Sequence, residues 1–401
     1  MWPGRTNGSC ICRAAAGAGT RLHARLDLQP FAAAPATMSF PDGSLFASRQ
    51  LSPANLVFVK YCTSDAWVGN QVASASTDGM AFKGQSLVQA VFDQLGRLHG
   101  LQGADKKILF SGCSAGARGV LHNLNRVSQF MADSYKVPET VGLIDSGLFY
   151  DLHDINGDRQ FEDQARAVMS YVNPSIDPTC AAAHSNEVWK CLVGEYAAPT
   201  LKVEYVVNQF LADAYSLGED WGIRPHGSAV FYPLAVIKEH SSWMTYASDI
   251  FRPRVSQLLG SLSGVGVLGA SCYMHCNTEF ASFSDNYTVR GTSLEDVTAA
   301  LVNHQTPIRA VDTCSGLHCG LGCGPESSVI YGGRAVDKAV DKAMGHAHDA
   351  LKVVDQVEGQ VQAVNEIVNR GVDQFVEEVQ LDPNAILEEE EEELQLDPMQ
   401  S

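Results

Sequence analysis

The sequence predicts an α/β fold, a mostly parallel sheet with helices on both faces, followed by a helical and acidic carboxyl-terminal tail. Short, near-continuous apolar runs recur at residues 54–61, 108–110, 140–144, 203–207 and 264–269. Runs of that length and content are strands buried on both faces. Helical patterns alternate with them, which is the signature of strands joined by crossover helices. At 401 residues the chain can bury such a core as one large domain, residues 1–334, with an appendage at 335–401.

Residues 1–50 are rich in Ala, Gly, Arg and Pro and lack periodicity, so they are irregular, with Cys10 and Cys12 as anchors. Leu56, Val57, Phe58 and Val59 then make a buried strand that ends in Cys62-Thr63-Ser64-Asp65-Ala66-Trp67. Over 84–100, Leu87, Val88, Val91, Phe92, Leu95 and Leu98 share one face of an amphipathic helix. The strand at 108–110 runs into Gly112-Cys113-Ser114-Ala115-Gly116 and on into a helix carrying Val120, Leu121 and Leu124 on one side. The strand at 140–144 ends at Asp145-Ser146-Gly147, and residues 174–191 form a lid-like excursion stapled between Cys180 and Cys191. The strand at 203–207 leads into the segment Asn208 to Tyr215, a helix covers 251–262, and the strand at 264–269 delivers Ala270 to Cys276. In the tail, Val354, Val357, Val361, Val364, Val368, Val372, Phe375 and Val379 alternate at threes and fours, a coiled-coil pattern weakened by Gly359 and Gly371. This helix, 350–379, packs on itself or engages a partner. Six glutamates, Glu388 to Glu393, follow it in a solvated, mobile end.

The chemistry gathers at the carboxyl ends of the strands, where open α/β sheets place their sites. Gly-x-Ser-x-Gly between a strand and a helix is a nucleophile elbow: Ser114 sits on a strained corner, where small residues on either side admit the neighbouring backbone. The helix that follows points its free N–H groups at a developing oxyanion, with the Ala115 N–H as donor. Asp213 and His275 lie just past the ends of two later strands, and Ser114, Asp213, His275 is the α/β-hydrolase order. Asp220 is the alternative acid. Trp67 lines an acyl pocket or packs the core. The chemistry calls for no metal and no cofactor.

Composition narrows the setting. The net charge is −18, which argues against a nucleic-acid partner, but residues 335–401 hold 17 acidic against 4 basic residues. The acidity belongs to the tail. No apolar run approaches the length of a membrane span. Eleven cysteines and two sequons, at Asn7 and Asn286, favour disulfides and a secreted or secretory-pathway location, although Met1 to Arg5 lacks a signal-peptide pattern. The odd cysteine total leaves at least one thiol unpaired within the chain, with Cys113 as a candidate. Zinc on Cys314, His318, Cys319 and Cys323 is the rival reading.

These residues resemble the pectin acetylesterase and Notum-type carboxylesterases. Val59-Lys60-Tyr61-Cys62 with Ser64-Asp65-Ala66-Trp67 is similar to the family's Tyr-Cys segment, nearest its Notum branch. Phe82-Lys83-Gly84-Gln85 is similar to its helix start, and Gly112-Cys113-Ser114-Ala115-Gly116 to its nucleophile motif. Asp145-Ser146-Gly147-Leu148-Phe149 resembles its Asp-Ala-Gly-Phe-Phe, Ser271 to Cys276 the Ser-Cys-Tyr-x-His-Cys of plant members, and Asp312-Thr313-Cys314 with Cys319 and Cys323 its closing cluster.

The resemblance implies a secreted serine carboxylesterase that deacetylates a cell-wall or matrix polysaccharide. The alternatives are a Notum-like deacylase acting on an acylated protein, and a non-catalytic binding member. Two family cysteines are replaced here, by Asn123 and at about Gly142. The family's Gly-rich oxyanion stretch has no counterpart ahead of Ser9-Cys10, so the expectation is a domain that starts late and lacks its first strands.

Overall fold

The alternation of apolar strands and amphipathic helices builds a parallel main sheet in the computed structural model. The structure describes residues 42–323 apart from 53, 60, 62, 78, 222–236, 239 and 279–282. Its strands are β1 (Lys107–Cys113), β2 (Glu139–Asp145), β3 (Tyr205–Asn208), β4 (Ala212–Asp213), β5 (Gly266–Gly269), β6 (Tyr273–Met274) and β7 (Arg309–Val311). The main sheet runs β1-β2-β3-β5-β7, every neighbour parallel, and β4 pairs with β6 in a separate parallel ribbon.

Side chains along β2 divide between two cores, as the two-residue period of a strand requires. Ile144 joins Val120, Leu121, Leu124, Val207 and Val267 on one face. Val141 and Leu143 join Val206, Leu268, Leu294, Val297 and Leu301 on the other. The first face is covered by α2 (Ala115–Tyr135), which follows α1 (Gly84–His99) in the chain, and the second by the helix Leu294–Val302. Close approach is built in at Gly142, where a Cβ would stand 2.5 Å from Leu124 Cδ2. Helices on both faces of a mostly parallel sheet make this an α/β-hydrolase-type fold. No helix among the described residues is long and apolar enough to cross a membrane.

Helix α1 ends where the sequence places it, at a left-handed Gly100 with φ 71°. The helix expected at 251–262 is Arg252–Ser261. Asn123 donates its amide to the Trp67 carbonyl at 3.0 Å and to the Gly119 carbonyl at 2.8 Å, tying α2 to the loop before α1.

Two expectations are corrected. Residues 54–59 form no strand: Leu56, Val57, Phe58 and Val59 are 36–56 % exposed and lie outside the sheet. The excursion at 174–191 is anchored in the domain's cores through buried Cys180, Trp189 and Cys191, with its other residues exposed or half-buried, and is not a free lid. The Cys180–Cys191 bridge is formed as expected. Cys10, Cys12, Cys62, the domain boundary at 334/335, the 350–379 helix and the acidic end lie outside the described residues.

Candidate active site

Strand β1 ends at Cys113 and α2 begins at Ala115, so Ser114 alone makes the corner. Its φ of 55° and ψ of −115° are a rare conformation for a residue with a side chain, the kind of strain that persists only where the surroundings enforce it. The Ser114 N–H donates to the Asp145 carbonyl at 2.9 Å, and the Ser114 carbonyl accepts from the Arg118 N–H at 3.0 Å. Ala115 occupies the first helical position, where backbone N–H groups have no partner within the helix.

The two glycines of the motif are not equivalent. A Cβ on Gly112 would lie 2.3 Å from the Gly116 carbonyl carbon, whereas a Cβ on Gly116 meets nothing within 4 Å. Only the first glycine admits neighbouring backbone. Gly112→Ala is therefore expected to lower stability by about 1–3 kcal/mol through overpacking. Gly116→Ala, inside a helix, should hold or raise stability by about 0.5–1 kcal/mol. Urea unfolding of the two variants beside the parent checks the contrast.

Asp213 and His275 are brought together by the β4–β6 ribbon, whose register sets Asp213 opposite Met274. The His275 Nδ1 lies 2.9 Å from Asp213 Oδ2 and 3.1 Å from Oδ1, and the carboxylate is fully buried. Asp213 Oδ1 also accepts the Ser216 N–H at 2.8 Å, which fixes its rotamer. With Nδ1 bound to the carboxylate, the proton sits there and Nε2 is left as the acceptor. That Nε2 atom is buried and has no hydrogen-bond partner among the described residues.

Cys113 and Cys276 form a disulfide with their Cα atoms 5.7 Å apart. This corrects the expectation that Cys113 is the unpaired thiol. Ser114 follows one cysteine and His275 precedes the other, so their Cα atoms lie within about 13 Å of one another, one Cα step being added at each end. Cys314 pairs with Cys319 and Cys272 with Cys323, while the His318 Nδ1 accepts the Tyr273 N–H at 3.1 Å. The residues weighed for zinc are thus committed to the disulfide reading.

Trp67 lies 6 % exposed in a core cluster with Val88, Phe92, Ile108, Val127 and Met131, and a Cβ on Gly119 would stand 2.6 Å from its indole. These surroundings support packing over an acyl pocket. The side chain of Asp220 is outside the described residues. A residue that sequence reasoning missed is Tyr215, whose ring stacks on His275 at 5.0 Å between centroids. Its position two residues after Asp213 is the only signal that could have suggested it.

An elbow serine, a buried carboxylate and its paired histidine follow one another in that chain order at the strand ends of an α/β-hydrolase-type fold. Residues 47–323 match the family model Pectinacetylesterase, and the chain belongs to that family. It is 28% identical over 293 residues to the palmitoleoyl-protein carboxylesterase NOTUM of Mus musculus, covering 67% of this chain and 55% of that one. Against the Homo sapiens NOTUM it is 34% identical over 177 residues, covering 42% and 35%. Against pectin acetylesterase 11 of Arabidopsis thaliana it is 26% identical over 292 residues, covering 67% and 69%. The chain spans about half the length of the NOTUM relative from mouse. A crystal structure of the Wnt deacylase Notum from Drosophila shares the fold, with a TM-score of 0.56 and 22% identity over 66% of this chain and 73% of that one.

Proposed function

We propose that this chain is a serine carboxylesterase, with Ser114 as nucleophile, His275 as general base, Asp213 as its orienting carboxylate and the Ala115 N–H as an oxyanion donor. The observation that carries the reading is the His275 ring, held through Nδ1 by buried Asp213 on a segment that the Cys113–Cys276 disulfide ties to Ser114. In the reaction, Nε2 takes the Ser114 hydroxyl proton as Oγ attacks the ester carbonyl. The Ala115 N–H stabilises the tetrahedral oxyanion. Collapse expels the alcohol, which leaves with the proton from His275, and the acyl group remains on Oγ. Water, activated by the same imidazole, then releases the carboxylic acid and restores the serine.

The substrate reading is an acetylated cell-wall or matrix polysaccharide, supported by the family and by Ser271-Cys272-Tyr273-Met274-His275-Cys276. A second reading, removal of a long acyl chain from a protein, is favoured by the identity to the palmitoleoyl-protein carboxylesterases. The four disulfides among the described residues support an oxidising, secretory compartment for either. The test is a series of p-nitrophenyl esters together with a fluorophosphonate probe mapped by peptide mass spectrometry. The adduct is expected on Ser114, with acetate turned over faster than octanoate. Octanoate ahead of acetate selects the second reading, and a chain that neither labels nor hydrolyses any ester refutes both.

A further inference from the structure

Asp145 is a fully buried acid at the end of β2 whose hydrogen bonds converge from three segments of the chain. Its Oδ1 accepts from the Asn208 Nδ2 at 2.7 Å and from the Ser146 Oγ at 3.3 Å. Its Oδ2 accepts the Asn277 N–H and the Thr278 N–H, both at 2.7 Å, and the Thr278 Oγ1 at 2.9 Å. The neighbouring Ser146 Oγ accepts the Cys276 N–H at 3.0 Å. A carboxylate oxygen of Asp145 also lies within 4.8 Å of a sulfur of both Cys113 and Cys276. Every donor named here is neutral, so the buried carboxylate is compensated by directed N–H and O–H groups, each a charge-assisted bond.

The placement of these bonds matters more than their number. The three residues immediately after His275 are held by the side chains of Asp145 and Ser146. The main-chain carbonyl of Asp145 holds the N–H of Ser114. One residue therefore grips the elbow through its backbone and the histidine loop through its carboxylate, and fixes the distance between them.

We infer that Asp145 is a positioning residue for the reaction: its carboxylate sets the loop 276–278 so that His275 stands in register with Ser114. The inference rests on the esterase reading above. Asp145 touches neither substrate nor the reacting atoms in this scheme and acts only through His275. Proton transfer needs heavy atoms about 2.6–3.2 Å apart, so a small shift of the loop removes the base without unfolding the domain.

The test is a double-mutant cycle on the full chain, Asp145→Asn against His275→Ala, read as kcat and KM on a short-chain p-nitrophenyl ester and as the rate of fluorophosphonate labelling of Ser114. An amide at 145 keeps one oxygen but cannot charge-assist three donors. Asp145→Asn is expected to lower kcat by about 30- to 100-fold with KM within about threefold, because the lost interaction is one of orientation. His275→Ala alone should cost about 10²- to 10⁴-fold. The double variant should fall no further than His275→Ala by more than about threefold, since a base that is absent cannot also be misplaced.

Two outcomes overturn the inference alone: Asp145→Asn at parental turnover, or losses that multiply across the cycle, as a purely structural role would give. If Asp145→Asn does not yield folded protein, Thr278→Val takes its place. It removes one of the three bonds to Oδ2, with about a three- to tenfold fall in kcat expected and the same non-additivity with His275→Ala. Parental turnover in Thr278→Val, or multiplying losses, overturns the inference in that arm. Parental turnover in His275→Ala would be a different result, removing the esterase reading itself and this inference with it.

Discussion

Asp213→Asn is expected to lower kcat by about 10³- to 10⁴-fold while the protein stays folded, the scale seen when the orienting acid of a serine hydrolase is made an amide. In the present geometry both Asp213 oxygens face His275 Nδ1, at 2.9 and 3.1 Å, and Oδ1 also accepts the Ser216 N–H. With Asn at 213, the Ser216 N–H retains the amide oxygen and the NH₂ group turns toward His275. Nδ1 must then accept, and the ring proton moves to Nε2. The nitrogen that has to take the Ser114 proton becomes a donor. Steady-state kinetics on an activated ester, with circular dichroism as a folding control, checks this. A loss of less than about tenfold would mean that Asp213 is not the orienting acid.

Removing the Cys113–Cys276 bridge by paired serine substitutions should cost about 3–5 kcal/mol of stability and lower kcat by about 10- to 100-fold. The first effect follows from the sequence separation of 163, which makes this cross-link a strong constraint on the unfolded chain. The second follows from position, since the bridge joins the residue before Ser114 to the residue after His275. Denaturant midpoints report the first and kcat on a short ester the second. The equivalent pair of substitutions at Cys180 and Cys191, separated by 11 residues, should cost less stability.

Much of this arrangement was legible in the sequence, for reasons that differ from residue to residue. Strands β1, β2, β3 and β5 declared themselves because a strand buried on both faces must be apolar throughout. Helix α1 did so through Val88 and Phe92 on one face, and Ser114, Asp213 and His275 stood out because each follows a strand. The reading of residues 54–59 failed because an apolar run reports affinity for a core and not the presence of a neighbouring strand to pair with. Leu56 to Val59 have the composition of a strand and belong to no strand among the described residues. Strand β7, three residues long, and the two-residue strands β4 and β6 are below what periodicity can detect. The partner of Cys113 could not be read because pairing is a matter of distance, and the two cysteines are 163 positions apart in the chain. Asp145 was visible only as part of a family-like motif, its partners lying at Asn208, Asn277 and Thr278.

The Cys113–Cys276 bridge also closes the chain into a covalent ring, and Ser114, Asp213 and His275 all lie on it. A single proteolytic nick anywhere between Ser114 and His275 opens the ring without separating it: the fragment bearing the serine and the fragment bearing the histidine remain one molecule. A protein of this topology tolerates damage to its surface loops as a circle tolerates one cut. Electrophoresis of such a nicked form would show one band without reductant and two with it.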